Sequence, residues 1–302
     1  MRLALAALVV ALAACGPEAD APPPVTDASA LADSVEAIAA RTPEATVAVV
    51  VRRDAPGDTV AYSRLGDRAF HAASTMKVPV MMEAFRQVEA GRMAWDDPVR
   101  VENRFRSIVD GSEYQIGDDS DDGLYTSLGS DVSVRNLTER AITTSSNLAT
   151  NLLIQLVSAD AVQATVDRLG APGMRVLRGV EDLKAFDAGL SNETTADALA
   201  TLLEALRDGR AVSPEADAEM LDILDDQQFN EMIPAGIPEG IRIAHKTGEI
   251  TRTHHDAAVV YPEAGAPYVL VILIEGLDSK EDSARLGAEV SRAVWQALVE
   301  GA

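Results

Sequence analysis

Ser74 and Lys77 stand three residues apart in Ser74-Thr75-Met76-Lys77, ahead of the apolar Val78-Pro79-Val80. The spacing of apolar residues predicts a helix over Thr75 to Ala90. Ser74 then falls at a helix start, where free backbone N–H groups and the dipole stabilise negative charge. Residues i and i+3 share a helix face, so the Lys77 amine can approach the Ser74 hydroxyl. Burial lowers the pKa of an amine, and a neutral lysine can take the serine proton. Alone, a Ser-x-x-Lys match arises by chance about once in a chain this long. Lysine usage adds a clue. The chain has lysine only at Lys77, Lys184, Lys246 and Lys280, and arginine carries the remaining positive charge. Of the two side chains, only lysine can give up its proton when buried.

Two further groups have residue types that fit the same chemistry. Ser145-Ser146-Asn147 follows Thr143-Thr144 and precedes Leu148 to Leu153, which places it in a short turn between helices. There Ser145 could relay a proton to a leaving nitrogen and Asn147 could hold a substrate amide; plain helix capping is the competing use of these residues. Lys246-Thr247-Gly248 lies inside the strand-like run Ile241 to Ile250. On an edge strand Lys246 offers charge and Thr247 a hydroxyl to a substrate carboxylate, and Gly248 permits close backbone approach. An exposed turn is the alternative.

The elements that must position these groups are legible in outline. Ala28 to Ala40 has helical apolar spacing, Thr46 to Arg53 is β-branched and apolar, and Asp58 to Arg64 completes a hairpin. The middle is helical over Thr75 to Ala90, Val134 to Val157, Asp160 to Leu169 and Thr194 to Asp208. Asp110 to Ser130 is acidic and rich in Gly and Ser, and reads as an exposed loop. It lacks the glycine and final glutamate of a calcium-binding EF-hand. Strand-like runs return at Ile241 to Ile250, His255 to Tyr261 and Tyr268 to Glu275, before an amphipathic helix over Ser279 to Glu300. This order predicts an α+β fold, an α/β sandwich. Its five-stranded antiparallel sheet is flanked by the terminal helices, and an all-α lobe is inserted. The α/β lobe would comprise residues 28–70 and 210–302, and the all-α lobe residues 71–209. A small-molecule site is expected in the cleft between them.

The order Ser-x-x-Lys, Ser-x-Asn, Lys-Thr-Gly, on a helix start, an inter-helix turn and a late strand, resembles class A β-lactamases and their penicillin-binding relatives. Asn147 to Leu153 and Asp256 to Pro262 add to the likeness, which runs from about Ala28 to the end. The resemblance implies acylation of Ser74 by the β-lactam carbonyl. The oxyanion would be held by the N–H groups of Ser74 and Glu249. Lys77, Ser145 and Lys246 would form the proton and charge network, and Asn147 would contact the substrate amide. No cofactor and no metal are implied.

Three positions depart from that pattern. Ser146 stands where the family's commonest residue is Asp. The family also expects a deacylating Glu followed four residues later by Asn. Here Glu181 is the best candidate, but position 185 is Ala, Lys184 lies nearby, and Asp182 and Asp187 compete. A salt-bridged surface loop is the alternative reading of this segment. Glu249 puts a carboxylate beside the place expected for the substrate's own, where it would repel anions unless it turns outward or pairs with Arg252.

The amino terminus reads as a targeting segment: Met1-Arg2, an apolar run from Leu3 to Leu12, then Leu12-Ala13-Ala14-Cys15-Gly16. It resembles the lipobox of bacterial lipoproteins. On that reading residues 1–14 are a signal peptide, Cys15 is lipidated, and residues 15–27 with Pro22-Pro23-Pro24 form a tether ahead of a catalytic domain over 28–302. An ordinary cleaved signal peptide is the alternative. The protein would be exported, anchored to a bacterial envelope membrane on its periplasmic side, and monomeric. A formal charge of −22 argues against a nucleic-acid partner. No Gly-x-Ser-x-Gly elbow and no His-Glu-x-x-His pair occur, and His254 and His255, adjacent in a strand, would point to opposite faces. The predicted function is serine β-lactamase. A D-alanyl-D-alanine peptidase, a slowly deacylating penicillin binder and a non-enzymatic envelope lipoprotein are the competing readings.

Overall fold

The structure, a computed structural model, describes residues 28–54, 60–117 and 119–301. Cys15, the signal segment and the tether lie outside the described residues, as does the start of the Asp58 to Arg64 run.

Five strands form one antiparallel sheet: β1 (Thr46–Arg53), β2 (Val60–Arg64), β3 (Arg242–Ile250), β4 (Thr253–Tyr261) and β5 (Tyr268–Glu275). Their order is β2-β1-β5-β4-β3, so the strand pair from opposite ends of the chain sits at the centre and β3 at an edge. The helices that cover the sheet and build the second lobe begin with α1 (Ala28–Ala40), α2 (Lys77–Glu89), α3 (Val134–Thr143) and α4 (Asn147–Val157). They continue with α5 (Ala159–Arg168), α6 (Ala196–Arg207), α7 (Pro214–Asp225) and α8 (Lys280–Trp295).

The central strands are apolar at nearly every position because both sheet faces are covered. On one face Val47, Val49, Ile272 and Ile274 pack with Leu31 and Val35 of α1 and Val290 and Val294 of α8. On the other, Ala48, Val50 and Val271 pack with Leu199 and Leu203 of α6 and run on into the helical lobe. Each such Val, Leu or Ile side chain, fully buried, contributes about 1.5–3 kcal/mol. Helix α2 runs through the middle of that lobe and is buried at every residue from Lys77 to Phe85. Its buried stretch is accordingly apolar from Val78 to Met82 and at Ala84 and Phe85, as a central helix requires. Of its two buried charged residues, Lys77 and Glu83, the second is bonded by Arg86 at 2.6 and 2.7 Å, Gln87 at 2.6 Å and Thr165 at 2.7 Å. Burial pushes its carboxyl up, but these donors outweigh burial and hold it below the usual range.

The helical run expected over Val134 to Val157 is broken where a turn was expected. Helix α3 ends at Thr143, Ser145 takes a left-handed φ of 57°, and Ser146 caps α4 through a 3.2 Å bond from Ala149 N–H. The acidic stretch 110–130 is exposed over most of its described length, as expected, but it carries structure of its own. Ile116, Asp121 and Leu124 are buried in it, Glu113–Tyr114 pairs with Phe105–Arg106, and Asp122–Tyr125 forms one helical turn. The buried Asp121 is held by Arg140 at 2.8 Å, while Asp110 pairs with Lys184 at 2.9 Å on the surface.

Candidate active site

Ser74 sits in a 3₁₀ turn, Ala73–Met76, that runs directly into α2. The turn is fixed from several sides. Ala73 has φ 46°, its N–H donates to His71 Nδ1 at 3.0 Å, and Ala72 N–H donates to the Asn192 carbonyl at 2.9 Å. A left-handed non-glycine residue costs about 1–2 kcal/mol and persists where its surroundings over-determine it. Since His71 Nδ1 accepts, the ring serves as its neutral form, and burial followed by the charge of Arg178 lowers its pKa in keeping.

Lys77 is fully buried one turn after Ser74, on the first residue of α2. Its Nζ donates to the Ser145 carbonyl at 2.5 Å, to Ser145 Oγ at 3.2 Å and to Asn147 Oδ1 at 2.9 Å. Burial lowers its pKa to about 7, against the opposing charges of Asp119 and Glu181. From the sheet side Lys246, also fully buried, donates to the same Ser145 Oγ at 3.0 Å and to the Thr247 carbonyl at 2.9 Å. Burial, then the nearby Lys77, pushes the Lys246 amine well down. The left-handed backbone of Ser145 is what turns its hydroxyl between the two lysines.

Gly248 explains how β3 reaches the Ser74 turn. A Cβ at this position would lie 3.1 Å from the backbone nitrogens of both Ser74 and Thr75. Any larger residue holds the strand away, so the glycine brings the Thr247-Gly248-Glu249 backbone against Ser74. Glu249, the residue next along, carries its carboxylate to Lys280 at the start of α8, with Nζ at 2.6 Å. Arg252, the partner considered from the sequence, instead meets Asp278 at 3.3 Å. Ser74, Asp119, Ser145, Asn147, Phe229, Thr247, Glu249 and His254 line one cleft of about 590 Å³.

The three acids weighed for deacylation fall in different places. Glu181, at φ 60°, accepts from Asn147 Nδ2 at 3.0 Å and from Gly117 N–H at 2.8 Å. Asp182 is committed to backbone, capping Ala185 N–H at 3.1 Å and binding Ile108 N–H at 2.9 Å. Asp187 is exposed at the end of the short helix Leu183–Asp187. Asn151 anchors the loop by gripping Val180 at N–H, 2.7 Å, and carbonyl, 3.0 Å. Only Glu181 of the three bonds a member of the Lys77 network.

Ser74, Ser145, Asn147, Thr247 and Glu249 thus line one cleft, Lys77, Lys246, Gly248 and Glu181 adjoin them, and Asp182 and Asp187 take no part in this network. Sequence reasoning missed Asp119, whose carboxylate accepts from Asn147 N–H at 2.9 Å and Leu148 N–H at 2.8 Å. It missed Lys280 as the partner of Glu249, although the scarcity of lysine was a usable signal. It also missed that His71 and Asn192 brace the Ser74 turn. Among the described residues no group of three His, Cys, Asp or Glu side chains could hold a metal ion. His255 Nε2 instead meets the His71 carbonyl at 3.0 Å, while His254 lines the cleft.

The model of the β-lactamase enzyme family matches residues 30–298. β-Lactamase AST-1 of Nocardia asteroides is 30% identical over 307 aligned positions, covering 99% of this chain and 94% of that one. Among solved structures, an ancestral class A β-lactamase is 27% identical with a TM-score of 0.76, over 88% of this chain and 99% of that one. PBP-A is 26% identical with a TM-score of 0.78, over 92% and 99%; a variant of it has been solved as an acyl-enzyme complex with penicillin G. The fold and cleft are those of the β-lactamase and transpeptidase class of serine hydrolases. The chain belongs to the β-lactamase enzyme family.

Proposed function

We propose that the protein is a serine β-lactamase that works through an acyl-enzyme on Ser74. The observation that carries this reading is the fully buried Lys77, one turn after a serine in the cleft wall, with its Nζ bonded to Ser145 and Asn147. Neutral Lys77 takes the proton of Ser74 as its oxygen attacks the β-lactam carbonyl. The tetrahedral oxyanion is held by the N–H groups of Ser74 and Glu249. As the C–N bond breaks, Ser145 gives its proton to the departing nitrogen and regains one from Lys77 or Lys246, which both bond its oxygen. Asn147 receives the substrate amide, and Thr247 with Lys246 receives its carboxylate. Glu181 takes a proton from the water as its oxygen bonds the ester carbonyl, and as the C–Oγ bond breaks that proton is returned to Ser74 Oγ, which releases the opened product and restores both residues.

A second reading is favoured by the surroundings of Glu181. Both its carboxylate oxygens already accept hydrogen bonds, and Ala185, four residues on, has no amide to share a water. Slow deacylation would make the protein a penicillin binder or a D-alanyl-D-alanine peptidase. Hydrolysis of a chromogenic cephalosporin by wild type and Glu181→Gln separates the two. Steady turnover by wild type, with acyl-enzyme accumulating only in Glu181→Gln, supports the lactamase with Glu181 as base. A wild-type adduct that persists for minutes supports the binder, and equal turnover by both removes Glu181 from the chemistry.

The proposal includes export and a lipid anchor on Cys15, which would hold a monomeric domain at the envelope membrane facing the periplasm, where β-lactams and peptidoglycan peptides are met. Detergent-phase partitioning of the full chain, lost in Cys15→Ala, tests the anchor.

A further inference from the structure

Asp119 belongs to the loop after Glu113–Tyr114, yet its carboxylate is spent on a helix 28 residues further along the chain. One oxygen accepts from Asn147 N–H at 2.9 Å and, within its own loop, from Asp121 N–H at 3.3 Å; the other accepts from Leu148 N–H at 2.8 Å and from Ser146 Oγ at 3.3 Å. Those are the first two residues of α4 and its cap. A carboxylate there satisfies orphan donors and complements the positive end of the helix. Immediately before the three clamped residues stands Ser145, with its left-handed backbone and both lysine contacts. Immediately inside the clamp is the Asn147 side chain, bonded to Lys77 and Glu181. Ser146, standing where the resembled pattern has an acid, leaves this carboxylate to be supplied from another loop.

We infer that Asp119 is a positioning residue of the acylation step: it bolts its loop to the first turn of α4, holds Ser145 and Asn147 against Lys77, and supplies part of the negative charge that Lys77 faces. This rests on the reading of Ser74 and Lys77 given above. Three charged side chains face Lys77 from three elements: Asp119 from its loop, Glu181 from the loop before Leu183–Asp187, and Lys246 from β3. Asp119 and Glu181 favour its protonated form and burial opposes them. Removing the Asp119 charge makes Lys77 easier to deprotonate while it loosens the residues Lys77 touches.

The two effects are separable in the pH profile of acylation. Rates of penicillin G acylation are measured by quenched-flow mass spectrometry, from about pH 5 to about pH 9, for wild type, Asp119→Asn and Asp119→Ala. The near-isosteric Asp119→Asn keeps the test valid if Asp119→Ala fails to fold. In both variants the acidic limb is expected to move to lower pH by about half a unit, because one of two stabilising charges is gone. The plateau is expected to fall about threefold in Asp119→Asn and about tenfold in Asp119→Ala. A limb that stays at the wild-type position overturns the inference whatever the plateau does, since a merely structural loss lowers the plateau alone. A wild-type protein that penicillin does not acylate removes the functional reading and the inference with it. An acylated wild type with an unmoved limb in the variants removes the inference alone.

Discussion

Lys77 and Lys246 share one hydroxyl: Ser145 Oγ lies 3.2 Å from the first Nζ and 3.0 Å from the second. Two ammonium ions around one oxygen, both out of water, repel strongly, so the site favours losing a proton. Burial brings Lys77 to about 7 and pushes Lys246 well down.

The pH dependence of acylation follows with a definite sign. Lys77 acts as a base only when neutral, so acylation rises through about pH 7 and levels above it. Each unit below that costs about tenfold in rate. Lys77→Arg keeps a fixed positive charge, because guanidinium does not deprotonate in proteins. It should show no such limb and at least about a thousandfold slower acylation, measured as adduct formed against time.

The Gly248 contact predicts a substitution that spares the fold and harms the chemistry. In Gly248→Ala the new Cβ would stand 3.1 Å from the backbone nitrogens of Ser74 and Thr75, and backbone yields less readily than a side-chain tip. A shift of a few tenths of an ångström relieves it at a cost of about 1–2 kcal/mol. It displaces the nucleophile from the β3 backbone, and kcat/KM should fall about tenfold or more. A thermal melt paired with steady-state kinetics checks both numbers; unchanged kinetics would mean that the approach is not needed.

The pair of Glu249 with Lys280 predicts a charge effect on substrate binding. At 2.6 Å, with side chains 47% and 43% exposed, the bridge contributes at most about 1 kcal/mol to stability. Its consequence is local, because without Lys280 a bare carboxylate faces the cleft. Lys280→Met should melt within about 2 °C of wild type but raise KM for an anionic cephalosporin about threefold at low salt. Adding Glu249→Gln should restore it. Equal KM values in all three proteins would show that the carboxylate does not reach the substrate.

What the sequence disclosed, and what it withheld, divides by range. Helix α1 and strands β1 and β5 span the residues that their apolar spacing predicts, because continuous burial leaves a continuous apolar run. Strand β4 begins at Thr253 rather than His255, since Thr253 and His254 pair with Ile250 and Glu249 despite their polarity. The three motifs were legible because each is short and depends on local geometry: i to i+3 on a helix, a turn between helices, a glycine on a strand. Asp119 was not legible. It sits in an acidic stretch that reads as solvated, and its partners lie 28 and 29 residues away. Lys280 reaches Glu249 only because β4 and β5 fold back between them, which composition does not encode.

The most direct test of Ser74 as nucleophile is the site of covalent capture. Wild type and Ser74→Ala are mixed with penicillin G, quenched in acid within the first turnovers, and weighed intact, and the adduct is then located by peptide mapping. Wild type should gain one intact penicillin mass on the peptide carrying Ser74, and Ser74→Ala should gain none. An adduct on another residue, or equal labelling of Ser74→Ala, would contradict the assignment.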